Sequence, residues 1–274
     1  MNAAFFDLDK TVIAKASMLA FGRTFYKEGM ISRRTILRSA YAQLVYKYLG
    51  ANEKQLSKLR EVGLSVTKGW ERSIVSTIVA ETMTEIVEPL IYKEALDLIA
   101  GHKNKGDLVF IVSASPTEIV SPLGERLGVD GVIATVSKVD QDGRYTGEME
   151  FYAYGPYKAI AMAELAKQYN FDLADSYAYS DSYTDLPMLE AVGNPFVVNP
   201  DRVLAKIAKE RNWKTLVFSN PVRVREGKVR SSTPTALVTL AIAFTSVAIA
   251  SFLLLLRVRR LSEQIRALIG SIPT

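Results

Sequence analysis

Residues 3–11 read AAFFDLDKT, a short apolar run closed by two carboxylates, a lysine and a threonine. A run of that length and character reads as a buried strand. Asp7 and Asp9 stand two apart where it ends, so both side chains can lean to one face. Carboxylates crowded in this way repel each other unless a cation or a proton intervenes. The chain has 274 residues, no cysteine and a single histidine, His102. Disulfides, a thiol nucleophile, iron–sulfur clusters and cysteine-built zinc sites are therefore excluded, as are metal sites that need two histidines. Oxygen ligands remain, and Mg²⁺ is the cation that takes them with few protein contacts.

Beyond this strand the pattern turns helical from Ser17 to Val87, in segments at 17–28, 32–48, 53–66 and 71–87, with a further helix over 90–101. LVFIVSAS (108–115) is a continuous β-rich run of the kind found in central parallel strands. A helix over 117–127 follows, then short strands within 131–151 that turn at Gln141–Arg144. The helix over 156–169 is opened by Pro156 and closed by Asn170. The remainder alternates: strand 176–182, helix 184–191, strand 196–199, helix 201–211 and a last strand near 215–219. Such alternation predicts an α/β fold with a doubly wound parallel sheet. The helical stretch is too long for a loop, so it reads as a module inserted directly after the first strand.

Four clusters fall where the strands end, the end at which open α/β sheets bind ligands. They are Asp7-Leu8-Asp9-Lys10-Thr11, Ser113 closing VFIVS, Lys158 in GPYK, and Ser180-Asp181-Ser182-Tyr183-Thr184-Asp185. Singly each has a plain structural reading. Paired aspartates are common on surfaces, Ser113 and Asp181 suit helix caps, and a lone helical lysine is usually solvated. Their order along the chain and their common placement set them apart. His102, in GHKNKGD, reads as a surface residue, and Trp70 and Trp213 as packing.

With these motifs in order, the chain resembles the haloacid dehalogenase-like phosphohydrolase superfamily over residues 3–219, in its phosphoserine-phosphatase-like subfamily IB. DLDKT fits the first motif, FIVSAS the second, GPYK the third and YSDSYTDLPML the fourth. One departure is Ser180, where the fourth motif usually has glycine; a positive φ there would be strained. The resemblance implies a HAD-like Rossmannoid sheet with a helical cap, and a Mg²⁺-dependent phosphomonoester hydrolase. Asp7 is then the nucleophile that forms an aspartyl-phosphate, and Asp9 the general acid and base. Asp7, the backbone carbonyl of Asp9, and Asp181 hold Mg²⁺. Asp185 supports them, and Thr11, Ser113 and Lys158 belong to the phosphate-binding set. In the family's phosphoserine enzymes an acidic residue soon after the first motif receives the substrate ammonium. Here VIAKASMLAFGR (12–23) holds no carboxylate.

The expected organisation is a core from 1–13 and 89–220, a cap over 14–88, a basic linker over 221–233, a transmembrane helix over 234–256 and a short basic, amphipathic tail over 257–274. The span rests on Thr235–Leu256, 22 residues without a charge, which as a helix would cover about 33 Å. No basic, apolar leader opens the chain, so the expectation is a single-pass protein of the cell membrane with its body in the cytoplasm. The positive charge belongs to this end: from residue 220 onward eight basic residues face two acidic ones, although the whole chain is only +5. A near-neutral body argues against a nucleic-acid partner. An anchor beside a phosphatase points to a lipid phosphomonoester, with a soluble phosphomonoester and a tethered regulatory protein of little turnover as alternatives. The oligomeric state is left open.

Overall fold

In the computed structural model, which describes residues 2–32, 61 and 63–221, β1 (Ala3–Asp7) is buried along its whole length. It lies at the centre of a seven-stranded sheet of order β4-β3-β2-β1-β5-β6-β7. The other strands are β2 (Leu108–Pro116), β3 (Gly131–Val139), β4 (Tyr145–Phe151), β5 (Tyr177–Ser180), β6 (Asn194–Val198) and β7 (Lys214–Leu216). All neighbours pair in parallel except β3 and β4, which form an antiparallel hairpin at one edge. Its turn is closed by the Asp140 carboxylate, which accepts from the Asp142 and Arg144 amides, and by Gly143 at φ +75°.

The period of two along each central strand divides the core between the two faces of the sheet. Ala4, Phe6, Val109, Ile111 and Tyr179 share one cluster with Val79 and Met83 of the Arg72–Ile86 helix, Ile99 of Lys93–Asn104 and Leu123 of Thr117–Leu127. Ala3, Phe5, Phe110, Val112 and Ala178 share the other with Met162 of Pro156–Tyr169, Met188 of Leu186–Glu190 and Leu204 of Arg202–Glu210. The helices that precede β3 thus cover one face, and those that follow β4 cover the other. The chain reverses direction across β1 and β5, so the crevice beyond their carboxyl ends is the switch point where such sheets hold ligands.

Between β1 and β2 the described residues form three α-helices, Ser17–Lys27, Arg72–Ile86 and Lys93–Asn104, with helical residues also at 63–67 and a 3-10 turn at Glu88–Leu90, and no strand. The expected helix over 32–48 lies outside the described residues. The chain leaves and re-enters the core side by side. Ala14 donates its amide to Leu90 (2.8 Å), and Tyr92 donates to Val12 (2.9 Å).

Two expectations are corrected. His102 is buried, not on the surface, because its helix runs on to Asn104 and places it on the inward face with Ala95 and Ile99. There its Nδ1 meets Asp107 and its Nε2 meets the Tyr179 hydroxyl, both at 2.8 Å. The membrane placement is corrected as well: among the described residues no helix is long and apolar enough to cross a membrane. The longest of them, Arg72–Ile86, has 15 residues, or about 22 Å against the roughly 30 Å of a hydrocarbon core. The segment expected to span, 234–256, and the tail after it lie outside the described residues.

Candidate active site

Asp7 closes β1 on the same side of the strand as Ala3 and Phe5, the face covered by the Pro156–Tyr169 helix. The turn into that helix needs Gly155, which sits at φ +54°, and Pro156 then supplies a preset first helical residue. Lys158 follows in the first turn, 2% exposed. Its Nζ lies 2.7 Å from Asp7 Oδ1 and 2.8 Å from Asp185 Oδ1. An ammonium has three N–H bonds, so one is left after the two carboxylates are served.

The fourth cluster follows β5, the other neighbour of β1. Ser180 is its last residue and has no positive φ. The serine therefore brings a bond and no strain: its hydroxyl donates to Asp185 Oδ2 (2.7 Å) and accepts from the Ser182 amide (3.2 Å). Both Asp185 oxygens are thus held, one by Lys158 and one by Ser180. Ser180→Ala is expected to lower stability by about 1.5–3 kcal/mol, the range for a hydrogen bond to a charged group; urea denaturation measures it. Asp181 comes next, 6% exposed, with Lys10 Nζ at 3.8 Å. Its loop is tied down by Asp201, whose amide donates to the Asp181 carbonyl (2.8 Å) and whose carboxylate accepts from the Tyr183 amide (2.7 Å).

The turn after β1 winds around one acceptor. The Leu8 carbonyl receives the amides of Val12 (2.9 Å) and Ile13 (3.0 Å), with Lys10 at φ +63°. This places Asp9 beside the start of the Ser17–Lys27 helix, where Oδ1 accepts from the Ser17 amide (2.8 Å) and Oδ2 from the Ser115 hydroxyl (3.1 Å). Thr11 is buried in the same turn, and its Oγ1 has no hydrogen-bond partner among the described residues. Ser113, at the end of the β2 core, is buried and accepts the Ser115 amide on Oγ (3.1 Å), which leaves its own proton free to donate.

Asp7, Lys158 and Asp185 are thus in direct contact. Asp9 and Ser113 are joined through Ser115, and Asp181 is linked to the first turn through Lys10. Sequence reasoning did not find Ser17, Ser115 or Asp201. The one local sign was Ser115 standing two after Ser113 in VSAS.

The charges do not balance. Burial first, and then the carboxylates of Asp185, Asp181 and Asp9, hold the Asp7 carboxyl well above its usual range, against the opposing pull of Lys158. Burial, with Asp185 and Asp201 nearby, pushes Asp181 up to about 7 although Lys10 opposes it. Burial alone would lower the Lys158 ammonium, but Asp185 and Asp7 outweigh it and hold the proton on. Four carboxylates face two lysines, one of them mostly exposed.

Residues 4–190 match the family of haloacid dehalogenase-like hydrolases. A Streptomyces azureus protein named for inhibition of morphological differentiation is 51% identical over 225 residues, 82% of this chain and 81% of that one. A Mycobacterium tuberculosis protein named a probable phosphatase is 47% identical, covering 90% of this chain and 86% of that one. A phosphoserine phosphatase of the same organism is 32% identical over 86% of this chain and 75% of its own length. Among solved structures, a Bordetella pertussis protein of unknown function superposes with a TM-score of 0.69 at 27% identity, over 79% of this chain and 98% of that one. The chain belongs to the haloacid dehalogenase-like hydrolase family, and it is one of the family's phosphatases.

Proposed function

We propose that this phosphatase hydrolyses a small soluble phosphomonoester through an aspartyl-phosphate on Asp7. The observation that carries this reading is the buried Lys158 ammonium shared between Asp7 and Asp185 where β1 and β5 end. Lys158 holds Asp7 Oδ1, which leaves Oδ2 to attack phosphorus in line as the bond to the leaving oxygen breaks. Asp9 gives its proton to that oxygen. It then takes one from the water that attacks phosphorus and frees phosphate from Asp7. The third Lys158 N–H and the unused Ser113 proton are the donors for the phosphoryl oxygens, a task that is mostly positioning and charge stabilisation. Thr11, whose buried hydroxyl has no partner among the described residues, belongs to this set.

The residues present fit Mg²⁺. The donors are all oxygen, and the pocket carries more carboxylate than ammonium. That suits an ion that takes one or two carboxylates and keeps its waters. Asp7, Asp181 and the backbone carbonyl of Asp9 would hold it. When bound it would neutralise charge on the phosphoryl oxygens.

The lipid phosphate expected from the sequence depended on the C-terminal anchor, and no membrane helix occurs among the described residues. A relative named phosphoserine phosphatase supports a soluble ester instead. The absence of a carboxylate from residues 12–23 speaks against phosphoserine in particular. The test is hydrolysis by the full chain, with Mg²⁺, of 4-nitrophenyl phosphate, phosphoserine, other small phosphomonoesters and lysophosphatidate side by side. Turnover of small esters is expected. A protein inert on all of them, or active on lysophosphatidate alone, overturns the reading.

Asp181 gives a second check. Its folded pKa of about 7 lies above the ordinary aspartate value of 3.8, so the folded state binds this proton more tightly than the unfolded state does. Without metal, its contribution to stability is full below about pH 4 and is lost as pH rises through about 7. Mg²⁺ competes with the same proton. Melting curves are expected to show a Mg²⁺-induced rise in Tm that is large at pH 8 and small at pH 6; the reverse order contradicts a role for Asp181 as ligand.

A further inference from the structure

The Asp9 carboxylate is gripped from two sides by residues that no motif reading assigns to the chemistry. The inference drawn from this rests on the hydrolysis proposed above. Asp χ2 is a soft torsion with a broad distribution, so an unheld carboxylate would sample many orientations. Here Oδ1 takes the Ser17 amide at 2.8 Å and Oδ2 the Ser115 hydroxyl at 3.1 Å. Behind them, Ser17 Oγ and Ser115 Oγ lie 2.7 Å apart, with Ser17 fully buried and Ser115 5% exposed. Ser115 has one proton and it goes to Asp9, so the Ser17 hydroxyl must be the donor to Ser115 Oγ. The array therefore has one direction: Ser17 Oγ–H to Ser115 Oγ–H to Asp9 Oδ2. The Ser115 amide meanwhile donates to Ser113 Oγ at 3.1 Å, so one residue orients both the phosphate-binding hydroxyl and the proton-transfer carboxylate.

A purely structural reading takes Asp9 as a remote cap for the Ser17–Lys27 helix, whose own N-cap, Ala16, has no side-chain bond to offer. That reading accounts for the Ser17 amide. It does not account for the buried Ser115 hydroxyl that donates to the other oxygen from strand β2, nor for the buried Ser17 hydroxyl of the inserted segment that backs it.

We propose that Ser115, backed by Ser17, is a positioning residue that aligns the Asp9 carboxyl with the leaving oxygen. In the first half-reaction the P–O bond to the leaving group breaks as the Asp7 O–P bond forms, and the Asp9 proton passes to the departing oxygen to give the free alcohol. Misalignment of Asp9 costs most when that oxygen is a poor leaving group. Ser17 sits in the first turn of the inserted helix, so alignment of Asp9 is tied to the seating of that segment on the core.

The experiment compares kcat/KM of the full chain on 4-nitrophenyl phosphate and phenyl phosphate, which are close in size but differ in leaving-group basicity. This parameter reports the phosphoryl transfer to Asp7 rather than the later hydrolysis. Ser115→Ala is expected to lower kcat/KM on phenyl phosphate by about tenfold, a part of the general-acid contribution, and on 4-nitrophenyl phosphate by less than about threefold. Ser17→Ala, which keeps the amide bond to Oδ1, should show the same selectivity with smaller losses, and it carries the test if Ser115→Ala does not fold. Equal losses on the two esters in the folded variant, or no loss on either, overturn the positioning role while leaving the phosphatase reading intact. A wild-type protein inert on both esters overturns that reading, and this inference with it.

Discussion

Asp7→Asn is expected to abolish phosphate-ester hydrolysis, by at least about 10³-fold in kcat, while leaving the protein as stable as wild type or more so at pH 7. The loss follows from the role: an amide oxygen does not form the phosphoenzyme bond, and removing a nucleophile leaves only binding and charge stabilisation. The stability follows from the pocket. Burial and three neighbouring carboxylates hold the Asp7 carboxyl well above its usual range, so in the metal-free fold its charge is a burden that grows as pH rises. Asparagine keeps the shape and an acceptor for Lys158 and removes that charge. Lys158 stays paired with Asp185 at 2.8 Å. Steady-state turnover with Mg²⁺ and urea denaturation without it, on the same preparations, check both halves. An active Asp7→Asn protein would place the nucleophile elsewhere.

Lys158→Met is expected to do the opposite to stability. It removes the one ammonium in contact with both Asp7 and Asp185, each at most 5% exposed, and leaves two buried carboxylates facing each other. Breaking a buried ion pair from one side costs about 3–5 kcal/mol, and hydrolysis should fall with it. Pairing the change with Asp185→Asn removes one of the orphaned charges. The double variant is expected to regain a large part of the stability and none of the activity. Denaturation midpoints of the wild type and the three variants form a double-mutant cycle, in which simple additivity would contradict the coupling. The two predictions separate charge from chemistry: one substitution relieves electrostatic strain and ends turnover, and the other ends turnover by creating strain.

Much of the framework can be read from local pattern. β1 and β2 are continuous apolar runs because both their faces are covered, and the helix limits at 117–127 and 156–169 coincide with the observed ones, fixed in part by Pro156 and Asn170. Two readings are corrected by the structure. His102 was placed on the surface because GHKNKGD looks like a polar loop; its partner Tyr179 lies 77 residues away on β5. Ser180, where strain would follow only from a positive φ, sits in extended backbone and serves Asp185. The membrane reading came from hydropathy in a segment outside the described residues, and no described helix is long and apolar enough to cross a membrane.

The amino-acid sequence by itself determined which strands are central, where they end, and therefore which carboxylates, hydroxyls and lysine stand at the ligand-binding end of the sheet. Those are properties of periodicity, apolar run length and capping, which act over a few residues. Only the tertiary structure decided which oxygen of each carboxylate is held and by whom: Lys158 on Asp7 Oδ1, Ser180 on Asp185 Oδ2, Ser115 on Asp9 Oδ2. Hydrogen bonds are short and directional, and Ser115 lies 106 residues from Asp9, as Lys158 lies 151 from Asp7. No local pattern carries such partnerships, because they exist only once the fold has brought these side chains within hydrogen-bonding reach of one another.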